Sequence, residues 1–521
     1  MSDILLIYPP VAKPTEAPAG IAKLAGALRH HGATCTVADF NFEGLQFLLR
    51  QPLQAEDTWS RRAGRHIEKN LAALGNPLVY QNFDRYKRAV ADVNRVLEMV
   101  GRKNGIGLSL VNYQDESLSP LRSRDLLAAA ERPQANVYYP FFSEKLSQLI
   151  ESSGPSLIGF SLNYLSQALS TFAMIGFCRQ RYPELSVVVG GGLVTSWLSR
   201  PKDDKSAFNN RFAGLIDHLI AGPGESALLE LLGPKFQNKE PQSDPALPEY
   251  ADFSGLSYLA PGSILPYAAS TGCYWNRCSF CPEKAEGNRY RQRALQIVVK
   301  ELNELVQTTR PDLIHFLDNA ISPALLSIMI KQPPGVPWYG FARISDALCD
   351  LDYCHKLRQA GCVMLKLGIE SGDQEVLQAM QKGISLEQMS MVLSNLQRVG
   401  IATYVYLLFG TPTEARPQAR RTLDFTVQHS KAISFLNLAI FNLPLYSPES
   451  KELEVRDFYS GDLSLYADFS HPHGWQRQEV RRFLDREFKR HPAISPIIKR
   501  DPPSFTSNHA PFFAHLVIDK E

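Results

Sequence analysis

The first forty residues alternate between short apolar runs and a longer segment with helical periodicity. Ile4–Tyr8 is an apolar run that ends at two prolines, which is typical of a buried strand followed by a loop. Gly20–His31 then places apolar side chains on one side at helical spacing, and Gly32 ends this segment before the next apolar run, Cys35–Asp39. A strand, a helix and a strand of these lengths predict a right-handed crossover and therefore a parallel sheet.

The same alternation resumes after a long interval. The predicted elements are the strand Leu157–Ser161, the helix Tyr164–Arg181, the strands Ser186–Gly190 and Leu219–Gly222, and a helix from Glu225. We therefore expect residues 1–240 to form a doubly wound, Rossmann-like α/β domain. A mostly helical insertion, in which no motif can be recognised, is expected at about 45–150.

A stretch rich in Pro, Gln, Asp and Ser at 240–255 predicts a linker. Beyond it the predicted strands, which alternate with amphipathic segments, are Tyr267–Ala269, Leu313–Leu317, Trp338–Ala342, Val363–Ile369, Ala402–Phe409 and Phe435–Phe441. Six β/α units in succession predict a partial (β/α)6 TIM-like barrel over residues 256–445. Residues 446–521 hold one charged helix, at about Gln476–Arg490, so we expect a small helical tail.

The composition limits the possible classes of protein. The chain has 521 residues, of which 44% are apolar, so it can form several hydrophobic cores and is not a disordered polymer. Its 55 basic and 53 acidic residues give a net charge of +2, so no overall field draws it to nucleic acid or anionic lipid. No apolar run reaches the about 18 residues of a membrane span, and the start of the chain lacks the features of a secretion signal. We therefore expect a cytoplasmic protein that neither binds nucleic acid nor spans a membrane.

Three of the eight cysteines lie close together. Cys273, Cys278 and Cys281 follow the first predicted barrel strand, and catalysis in such folds is built on the loops at the carboxyl ends of the strands. A structural zinc site needs four ligands, and no Cys or His pair at zinc-ribbon spacing supplies the fourth. An iron–sulfur cubane held by three cysteines keeps one iron open for an exchangeable ligand. Three cysteine ligands without a fourth therefore favour a catalytic cluster over zinc or simple packing. The other five cysteines are predicted to be core thiols.

This cysteine loop resembles that of the radical S-adenosylmethionine superfamily, whose mark is three closely spaced cysteines after the first strand of a partial barrel. The family's usual spacing places three residues between the first two cysteines, whereas here the four residues Tyr274–Arg277 separate them. The aromatic-Cys-Pro sequence at Phe280–Pro282 fits the family pattern well. The resemblance implies that the three cysteines bind a [4Fe-4S] cluster and that S-adenosylmethionine is a second cofactor.

The resemblance extends to residues that follow the predicted strands. It implies that Phe280 lies near the adenine of S-adenosylmethionine, and that Asp318 and Asn319 bind its methionyl amino group, although the family's usual Gly-Gly-Glu is absent there. It further implies that Arg343 pairs with the methionyl carboxylate. The positions after the fourth and fifth strands that would contact the cofactor are Glu370, Ser371 and Gly410. An acid or an arginine on a loop is usually just solvated, so the assignments depend on their common position after successive strands.

The N-terminal domain resembles the cobalamin-binding domain that precedes the barrel in one branch of this superfamily. The residues of its two glycine-rich turns that would contact the corrinoid are Gly191, Gly192, Thr195, Gly222, Gly224 and Glu225. Glycines let the backbone approach a bulky ligand, but they also form ordinary tight turns between strands and helices. The Asp-x-His-x-x-Gly motif that supplies a cobalt-binding histidine elsewhere is missing. Cobalamin would therefore bind without a histidine ligand, or the domain binds no corrinoid at all.

The resemblance implies an enzyme that uses one electron from a [4Fe-4S] cluster to generate a 5′-deoxyadenosyl radical. The favoured hypothesis is cobalamin-dependent methylation of an unactivated carbon, with a small-molecule or peptide substrate and an electron donor such as flavodoxin or ferredoxin. A rearrangement, cyclisation or oxidation without cobalamin is the alternative within the enzyme class. A non-catalytic iron–sulfur module is the alternative outside it, against which the predicted barrel with cofactor residues at its strand ends argues. The identity of the substrate cannot be inferred from the sequence.

Overall fold

A computed structural model describes residues 2–52, 57–199, 208–236, 246–458, 460–502 and 509–514. The chain divides into two compact units. Unit 1 comprises Met1–Pro261 together with Tyr459–Leu465, and unit 2 comprises Gly262–Phe458 together with Tyr466–Glu521. The predicted linker falls partly on residues 237–245, which lie outside the described residues. The three-part division inferred from the sequence stays a prediction.

Unit 1 is built on a five-stranded parallel sheet. Its strands, including a separate hairpin formed by β3 and β4, are β1 (Ile4–Tyr8), β2 (Cys35–Asp39), β3 (Ile106–Leu108), β4 (Tyr113–Asp115), β5 (Leu157–Ser161), β6 (Ser186–Gly190) and β7 (His218–Leu219). The parallel strands pair in the order β2-β1-β5-β6-β7. Ile4, Leu5 and Ile7 of β1 are fully buried, as expected of a central strand covered on both faces. The predicted Rossmann-like fold is confirmed.

Helices connect these strands and fill the insertion. The α-helices of unit 1 are Ala19–His30, Phe40–Leu49, Thr58–Arg65, Ile67–Leu74, Pro77–Tyr80, Phe83–Arg102, Ser123–Glu131, Tyr139–Ser153, Leu165–Arg181, Gly192–Leu198 and Glu225–Leu232, with 3₁₀ turns at Pro133–Ala135, Pro234–Phe236 and Ala251–Phe253. Helix Phe83–Arg102 of the insertion buries Tyr86, Val90, Val93 and Leu97. These positions recur at helical spacing, so one face of the helix packs and the other stays in water.

A short segment from far along the chain also belongs to unit 1. Leu463 is fully buried, its N–H donates to Leu121 O at 2.9 Å, and its carbonyl accepts from Trp197 Nε1 at 3.2 Å. Asp462 accepts a hydrogen bond from Ser123 Oγ at 2.6 Å. Part of the predicted tail therefore packs within unit 1 rather than forming one continuous appendage.

Unit 2 is built on a six-stranded parallel sheet. Its first strands, including the short pair β9 and β10, are β8 (Ile264–Tyr267), β9 (Ser270–Thr271), β10 (Arg291–Gln292), β11 (Leu313–Phe316), β12 (Trp338–Ala342), β13 (Cys362–Glu370), β14 (Ala402–Phe409) and β15 (Phe435–Ile440). The sheet order β15-β14-β13-β12-β11-β8 follows the chain, which confirms the predicted partial barrel. Strand β8 begins three residues earlier than predicted, because Ile264 and Leu265 are buried and pair with Leu313 and Ile314.

Helices follow the strands of this sheet. The α-helices of unit 2 are Pro282–Ala285, Leu295–Thr309, Pro323–Lys331, Asp346–Cys349, Leu351–Gln359, Gln374–Ala379, Leu386–Val399, Arg416–Gln428, Arg477–Phe483, Ser495–Arg500 and Pro511–Ala514, with 3₁₀ turns at Ser430–Ala432 and Pro448–Lys451 and a π-helical turn at Leu484–Phe488. The carboxyl ends of parallel strands lie at one edge of the sheet, so the loops that follow the strands share that edge. Among the described residues, no helix is both long enough and apolar enough to cross a bilayer.

The tail of unit 2 contains a small antiparallel sheet that the hydrophobic pattern did not predict. Strands β16 (Leu443–Pro444), β17 (Val455–Asp457) and β18 (Tyr466–Phe469) pair in the order β16-β18-β17. The expectation of a purely helical tail was therefore incomplete. The hydrophobic pattern did not predict β17 because this strand is exposed throughout and has no alternation of apolar and polar residues. The predicted charged helix is present as Arg477–Phe483 and continues into the π-helical turn.

Candidate functional site

The loop that carries the three clustered cysteines follows β8 and β9. Thr271 pairs antiparallel with Arg291, which brings the start of the loop beside the segment that follows it. Gly272 has a φ of +69°, and a Cβ there would lie 2.7 Å from Arg289 O, so glycine is required at this turn. All eight cysteines of the chain are free thiols. The three thiols of this cysteine loop are therefore available as ligands.

The cysteine loop is partly shielded from water. Cys278 is 8% exposed, and burial raises the pKa of its thiol, while the positive charges of Lys382 and Arg343 lower it. Burial also raises the pKa of Cys281 to about 11, and the neighbouring Cys278 adds to that rise. The free thiols of Cys278 and Cys281 are therefore protonated at neutral pH, and a metal that binds them would displace their protons.

The donor set of this loop fits an iron–sulfur cluster. Within the described ranges, no three His, Cys, Asp or Glu side chains come close enough together to hold a single metal ion. In a cubane each cysteine binds a different iron, so the ligands are spread more widely than those of one ion. Three unbridged thiols near two cationic side chains suit such an anionic cluster. The assignment of Cys273, Cys278 and Cys281 as its ligands stays a prediction.

Arg343 contacts the cysteine loop directly. Its Nη1 lies 3.8 Å from Cys278 Sγ, and its Nη2 donates to the carbonyl of Lys382. The Arg343 guanidinium lies 4.2 Å from the ring centroid of Trp275, and that of Arg277 lies 5.0 Å from the same ring. The side chain predicted to bind the methionyl carboxylate is thus held against a predicted cluster ligand.

A turn at residues 380–383, called the 380–383 turn below, supports the cysteine loop. The backbone N–H of Ser279 donates to the first carbonyl of this turn at 3.0 Å, and Trp275 Nε1 donates to Gln381 O at 3.0 Å. Gly383 has a φ of +68°, and a Cβ there would overlap the Trp275 ring. The sequence interpretation missed this turn, whose only signal is a Gln-Lys-Gly run between two helical segments.

Glu370, at the end of β13, forms an ion pair with Lys382 of that turn. The distance from Lys382 Nζ to Glu370 Oε1 is 2.7 Å, and the two side chains are only 7% and 13% exposed. Glu370 has a φ of +65° at an irregularity between β13 and β14, a conformation that residues other than glycine seldom adopt. The Lys382 ammonium also lies 5.6 Å from the ring centroid of Phe280. Lys382, which the sequence interpretation missed, therefore connects two predicted site residues.

Ser371, Asp318 and Asn319 occupy different environments. Ser371 is fully buried and shares a hydrogen bond with Thr422 at 3.1 Å, so it stabilises the turn after β13. Asp318 is 1% exposed and accepts a hydrogen bond from Ser270 Oγ, and burial raises the pKa of its carboxyl group. Asn319 is exposed. Of this predicted set, only Asn319 has a side chain open to a ligand.

The turn that follows β14 is fixed by a buried glutamate. Gly410 has a φ of +78°, and its N–H donates to Glu414 Oε2 at 2.5 Å. Trp475 Nε1 donates to the same oxygen at 3.1 Å. Glu414 is fully buried, and burial raises its pKa to about 7. The glycine predicted to lie near the cofactor is therefore held by a carboxyl group four residues further along the chain.

A cavity of about 510 Å³ opens beside the cysteine loop and is called the 280 cavity below. Its lining residues are Ser279, Phe280, Lys284, Ala379, Met380, Gln381, Thr411, Pro412, Thr413, Phe441, Pro448, Glu449, Glu452 and Leu453. Phe280 and Leu453 pack against an apolar cluster that contains Phe441. The volume lies in the range of small-molecule sites. Phe280 and the turn after Gly410, both predicted to adjoin the cofactor, thus border one cavity.

The glycine-rich turns of unit 1 follow β6 and β7. Gly191 has a φ of +111°, and a Cβ there would lie 2.5 Å from Leu162 O, so the close backbone approach requires glycine. Thr195 Oγ1 donates to Gly191 O and accepts from Gly222 N–H, both at 2.9 Å. The structure therefore brings Gly191, Gly192, Thr195 and Gly222 together.

The remaining positions predicted to bind the corrinoid are engaged in packing. Glu225 pairs with Lys23 at 2.5 Å, and a Cβ on Gly224 would contact the Leu24 side chain at 3.4 Å. In sheets of this order, ligands bind beyond the carboxyl ends of the strands where the strand order reverses, here between β1 and β5. Tyr164 follows β5 and is 53% exposed, so it is a candidate contact that the sequence interpretation missed.

Comparisons with known proteins support this description. Residues 267–426 match the family model for the radical SAM superfamily. The chain is 22% identical over 315 residues to an uncharacterized methyltransferase of Pyrococcus horikoshii, and the aligned region covers 54% of this chain and 66% of that protein. It is 29% identical over 177 residues to the bacteriochlorophyllide d C-12(1)-methyltransferase of Chlorobaculum tepidum, and the aligned region covers 32% of this chain and 38% of that protein. The matches span less than two thirds of the length of these relatives.

The fold is also similar to a solved structure. The cobalamin-dependent S-adenosylmethionine radical enzyme OxsB with aqua-cobalamin bound superposes with a TM-score of 0.59 at 13% identity, over 93% of this chain and 67% of that chain. At this identity the similarity concerns the fold alone. It agrees with a Rossmann-like sheet followed by a parallel-stranded partial barrel.

Proposed function

Since residues 267–426 match the family model for the radical SAM superfamily, we propose that the chain is a radical S-adenosylmethionine enzyme that methylates an unactivated carbon with the help of cobalamin. The observation that carries this proposal is the cysteine loop, in which Arg343 Nη1 lies 3.8 Å from Cys278 Sγ. Its three free thiols would hold a [4Fe-4S] cluster, and the cation beside them would hold an anionic group of the second cofactor. When bound, the cluster supplies the electron that cleaves the sulfonium C–S bond, and the corrinoid supplies the methyl group.

The side chains near the loop would orient S-adenosylmethionine. Arg343, held by Trp275 and by the carbonyl of Lys382, is placed to pair with a carboxylate. Asn319 is open to the methionyl amino group, while Asp318 holds Ser270 at the start of the loop. Because few of these groups are exposed, they also limit the entry of water and oxygen to a reactive radical.

The 280 cavity would receive the adenosyl part of S-adenosylmethionine. Phe280 supplies an aromatic wall, and Thr411 to Thr413 supply polar atoms on the turn after β14. Glu370 pairs with Lys382, whose ammonium lies 5.6 Å from the ring centroid of Phe280. The Glu370 carboxylate would accept a hydrogen bond from a ribose hydroxyl. Glu370 ends β13, and Thr411 to Thr413 follow β14. A ligand at the carboxyl edge of a barrel is expected to contact residues in such positions.

The joined glycine turns of unit 1 would receive the corrinoid. Gly191, Gly192, Thr195 and Gly222 meet at the ends of β6 and β7, where a bulky ligand can approach the backbone. Gly224 and Glu225 would support this site through their own packing. The name of one relative and that of OxsB favour methyl transfer and cobalamin for this chain as well. We further propose a small-molecule or peptide substrate, an electron donor such as flavodoxin or ferredoxin, and a cytoplasmic location without nucleic acid as a partner.

The decisive experiment measures cleavage of S-adenosylmethionine. The protein, reconstituted anaerobically with iron and sulfide, is incubated with dithionite and S-adenosylmethionine, and 5′-deoxyadenosine is quantified by mass spectrometry. We expect product from the wild-type protein, none above background from Cys278→Ala, and wild-type amounts from Cys349→Ala, whose thiol lies outside the loop. Equal product from Cys278→Ala and the wild type would refute the proposed cluster site.

The cobalamin part is tested separately. The protein is incubated with hydroxocobalamin, desalted, and examined by visible absorbance and mass spectrometry. We expect about one corrinoid per chain, as one joined pair of turns would provide. A protein that cleaves S-adenosylmethionine but retains no corrinoid would favour rearrangement, cyclisation or oxidation without cobalamin.

A further inference from the structure

Lys382 and Glu370, called the 370–382 pair below, are two buried opposite charges beside the cysteine loop. The proposed function makes no use of the charge of the lysine. A Cβ added at Gly368 would lie 2.9 Å from Lys382 Nζ, so the pair occupies the space that this glycine leaves open on β13. Because the two side chains are only 7% and 13% exposed, water screens their charges poorly, and each charge acts strongly on its surroundings.

Hydrogen bonds of the 380–383 turn hold Lys382 close to Cys278. Arg343 connects the two residues, because its Nη2 donates to Lys382 O and its Nη1 lies 3.8 Å from Cys278 Sγ. The N–H of Ser279 donates to Met380 O at 3.0 Å, which joins the turn to the cysteine loop one residue after Cys278. The position of the lysine relative to this predicted cluster ligand is therefore set by the fold.

The two charges of the pair act on Cys278 with opposite sign. Burial raises the pKa of the Cys278 thiol, the positive charge of Lys382 lowers it, and the negative charge of Glu370 raises it by less than the lysine lowers it. A cation that favours a thiolate also favours added negative charge on a cluster that this thiolate binds, since both are cases of an anion stabilised by a nearby positive charge. The carboxylate thus offsets the effect of the lysine only in part.

We propose that the 370–382 pair tunes the reduction potential of the [4Fe-4S] cluster, with Lys382 raising the potential and Glu370 lowering it. This inference rests on the proposed function, which places the cluster on the cysteine loop. Reduction adds one electron to a cluster whose thiolate ligands already make it anionic. A buried cation nearby therefore stabilises the reduced form, and a buried carboxylate nearby destabilises it.

Neither the stability of the fold nor the other buried cation accounts for the lysine. An intact buried ion pair adds little net stability over apolar residues of similar size, because desolvation of the charges offsets their attraction. The proposed function pairs Arg343 with the methionyl carboxylate, which neutralises its charge when the cofactor is bound. Lys382 is then left to act on the cluster, since its own counter-charge offsets it only in part.

The test measures the midpoint potential of the cluster in the absence of S-adenosylmethionine. The anaerobically reconstituted holoprotein is titrated with dithionite in the presence of redox mediators, and the reduced cluster is quantified by electron paramagnetic resonance. In Lys382→Met we expect the ratio of reduced to oxidised cluster at the wild-type midpoint to fall about tenfold, which is a decrease of about 59 mV for one electron. In Glu370→Gln this ratio should rise about threefold, because the lysine then acts without its counter-charge.

Two further variants serve as controls. Lys382→Arg keeps the positive charge and should keep the wild-type midpoint. Arg277→Gln removes an equal charge next to Cys278 in the sequence but from an exposed side chain, so water should reduce its effect to less than about twofold. Analysis of iron and sulfide checks that each variant holds the cluster.

Shifts of opposite sign in Lys382→Met and Glu370→Gln support the inference, because damage to the loop does not depend on the sign of the charge removed. Shifts of the same sign, or a wild-type midpoint in Glu370→Gln, overturn it. If Lys382→Met retains no cluster, Glu370→Gln decides alone. Release of 5′-deoxyadenosine by the wild type would support the proposed function even where the midpoints do not move. A wild-type protein that binds no cluster would refute both.

Discussion

The cysteine loop of unit 2 and the glycine turns of unit 1 both follow parallel strands, yet different interactions hold them. The loop is held by side chains from other elements: Arg343 contacts Cys278, and Lys382 pairs with Glu370. The turns are held by close main-chain approach, since Gly191 lies against the Leu162 carbonyl. A Cβ added at Gly272 or Gly383 would clash in the first region as well, so the change that separates the two regions is loss of a charge, which should damage only the first.

The largest effect is expected for Lys382→Met. The substitution leaves the Glu370 carboxylate, which is 13% exposed, without its cation, and loss of one partner of a buried pair costs about 4 kcal/mol. We expect a decrease of that size in the free energy of unfolding, measured with urea. Lys489→Met removes an exposed partner of Asp485 and should leave the free energy of unfolding nearly unchanged, because water screens this pair. Equal losses in the two variants would show that charge does not hold the loop.

Gly191→Ala should have the next largest effect. Its φ of +111° is nearly confined to glycine, and the new Cβ would lie 2.5 Å from a backbone oxygen, so we expect a loss of about 3 kcal/mol. Gly222→Ala should cost only about 1 kcal/mol, because its φ is +72° but, apart from its own chain neighbours, no atom of the described residues lies within 4 Å of the added Cβ. Urea unfolding measures both losses. If the open space at Gly222 serves the corrinoid, this variant should lose corrinoid absorbance while it remains folded.

A smaller difference between the units should appear in the pH dependence of stability. Burial raises the pKa of Glu414 in unit 2 from 4.5 to about 7 and that of Asp39 in unit 1 from 3.8 to about 6. Each acid keeps its proton in the folded state while the unfolded chain ionises, so stability falls as the pH rises through these windows. For Glu414 we expect a decrease of about 2 kcal/mol between about pH 4.5 and 7.

Glu414→Gln tests this assignment, because an amide retains the acceptor for Gly410 N–H but does not titrate. The free energy of unfolding of this variant should be nearly flat between about pH 6 and 7, where Asp39 contributes least. An unchanged slope in that interval would show that another group causes it.

The pattern of apolar residues predicted the sheets well and the tail poorly. Trp338–Ala342 and Ala402–Phe409 were predicted with the bounds that the structure shows, because buried parallel strands are continuous apolar runs. Strand β17 was missed because its three residues are exposed and therefore form no apolar run. Only its pairing with β18 makes it a strand. The same limit applies to the segment at Leu463, whose burial depends on a partner at Trp197.

The sequence by itself determined the order and type of the main elements and the spacing of the three cysteines, because periodicity and short motifs are local properties of the chain. Only the tertiary structure decided which charges stand beside those cysteines. Arg343 is 65 residues from Cys278, and no local pattern records a contact between residues that far apart. Such contacts arise when parallel strands bring their carboxyl ends to one edge, so the chemistry of the site depends on the assembled sheet.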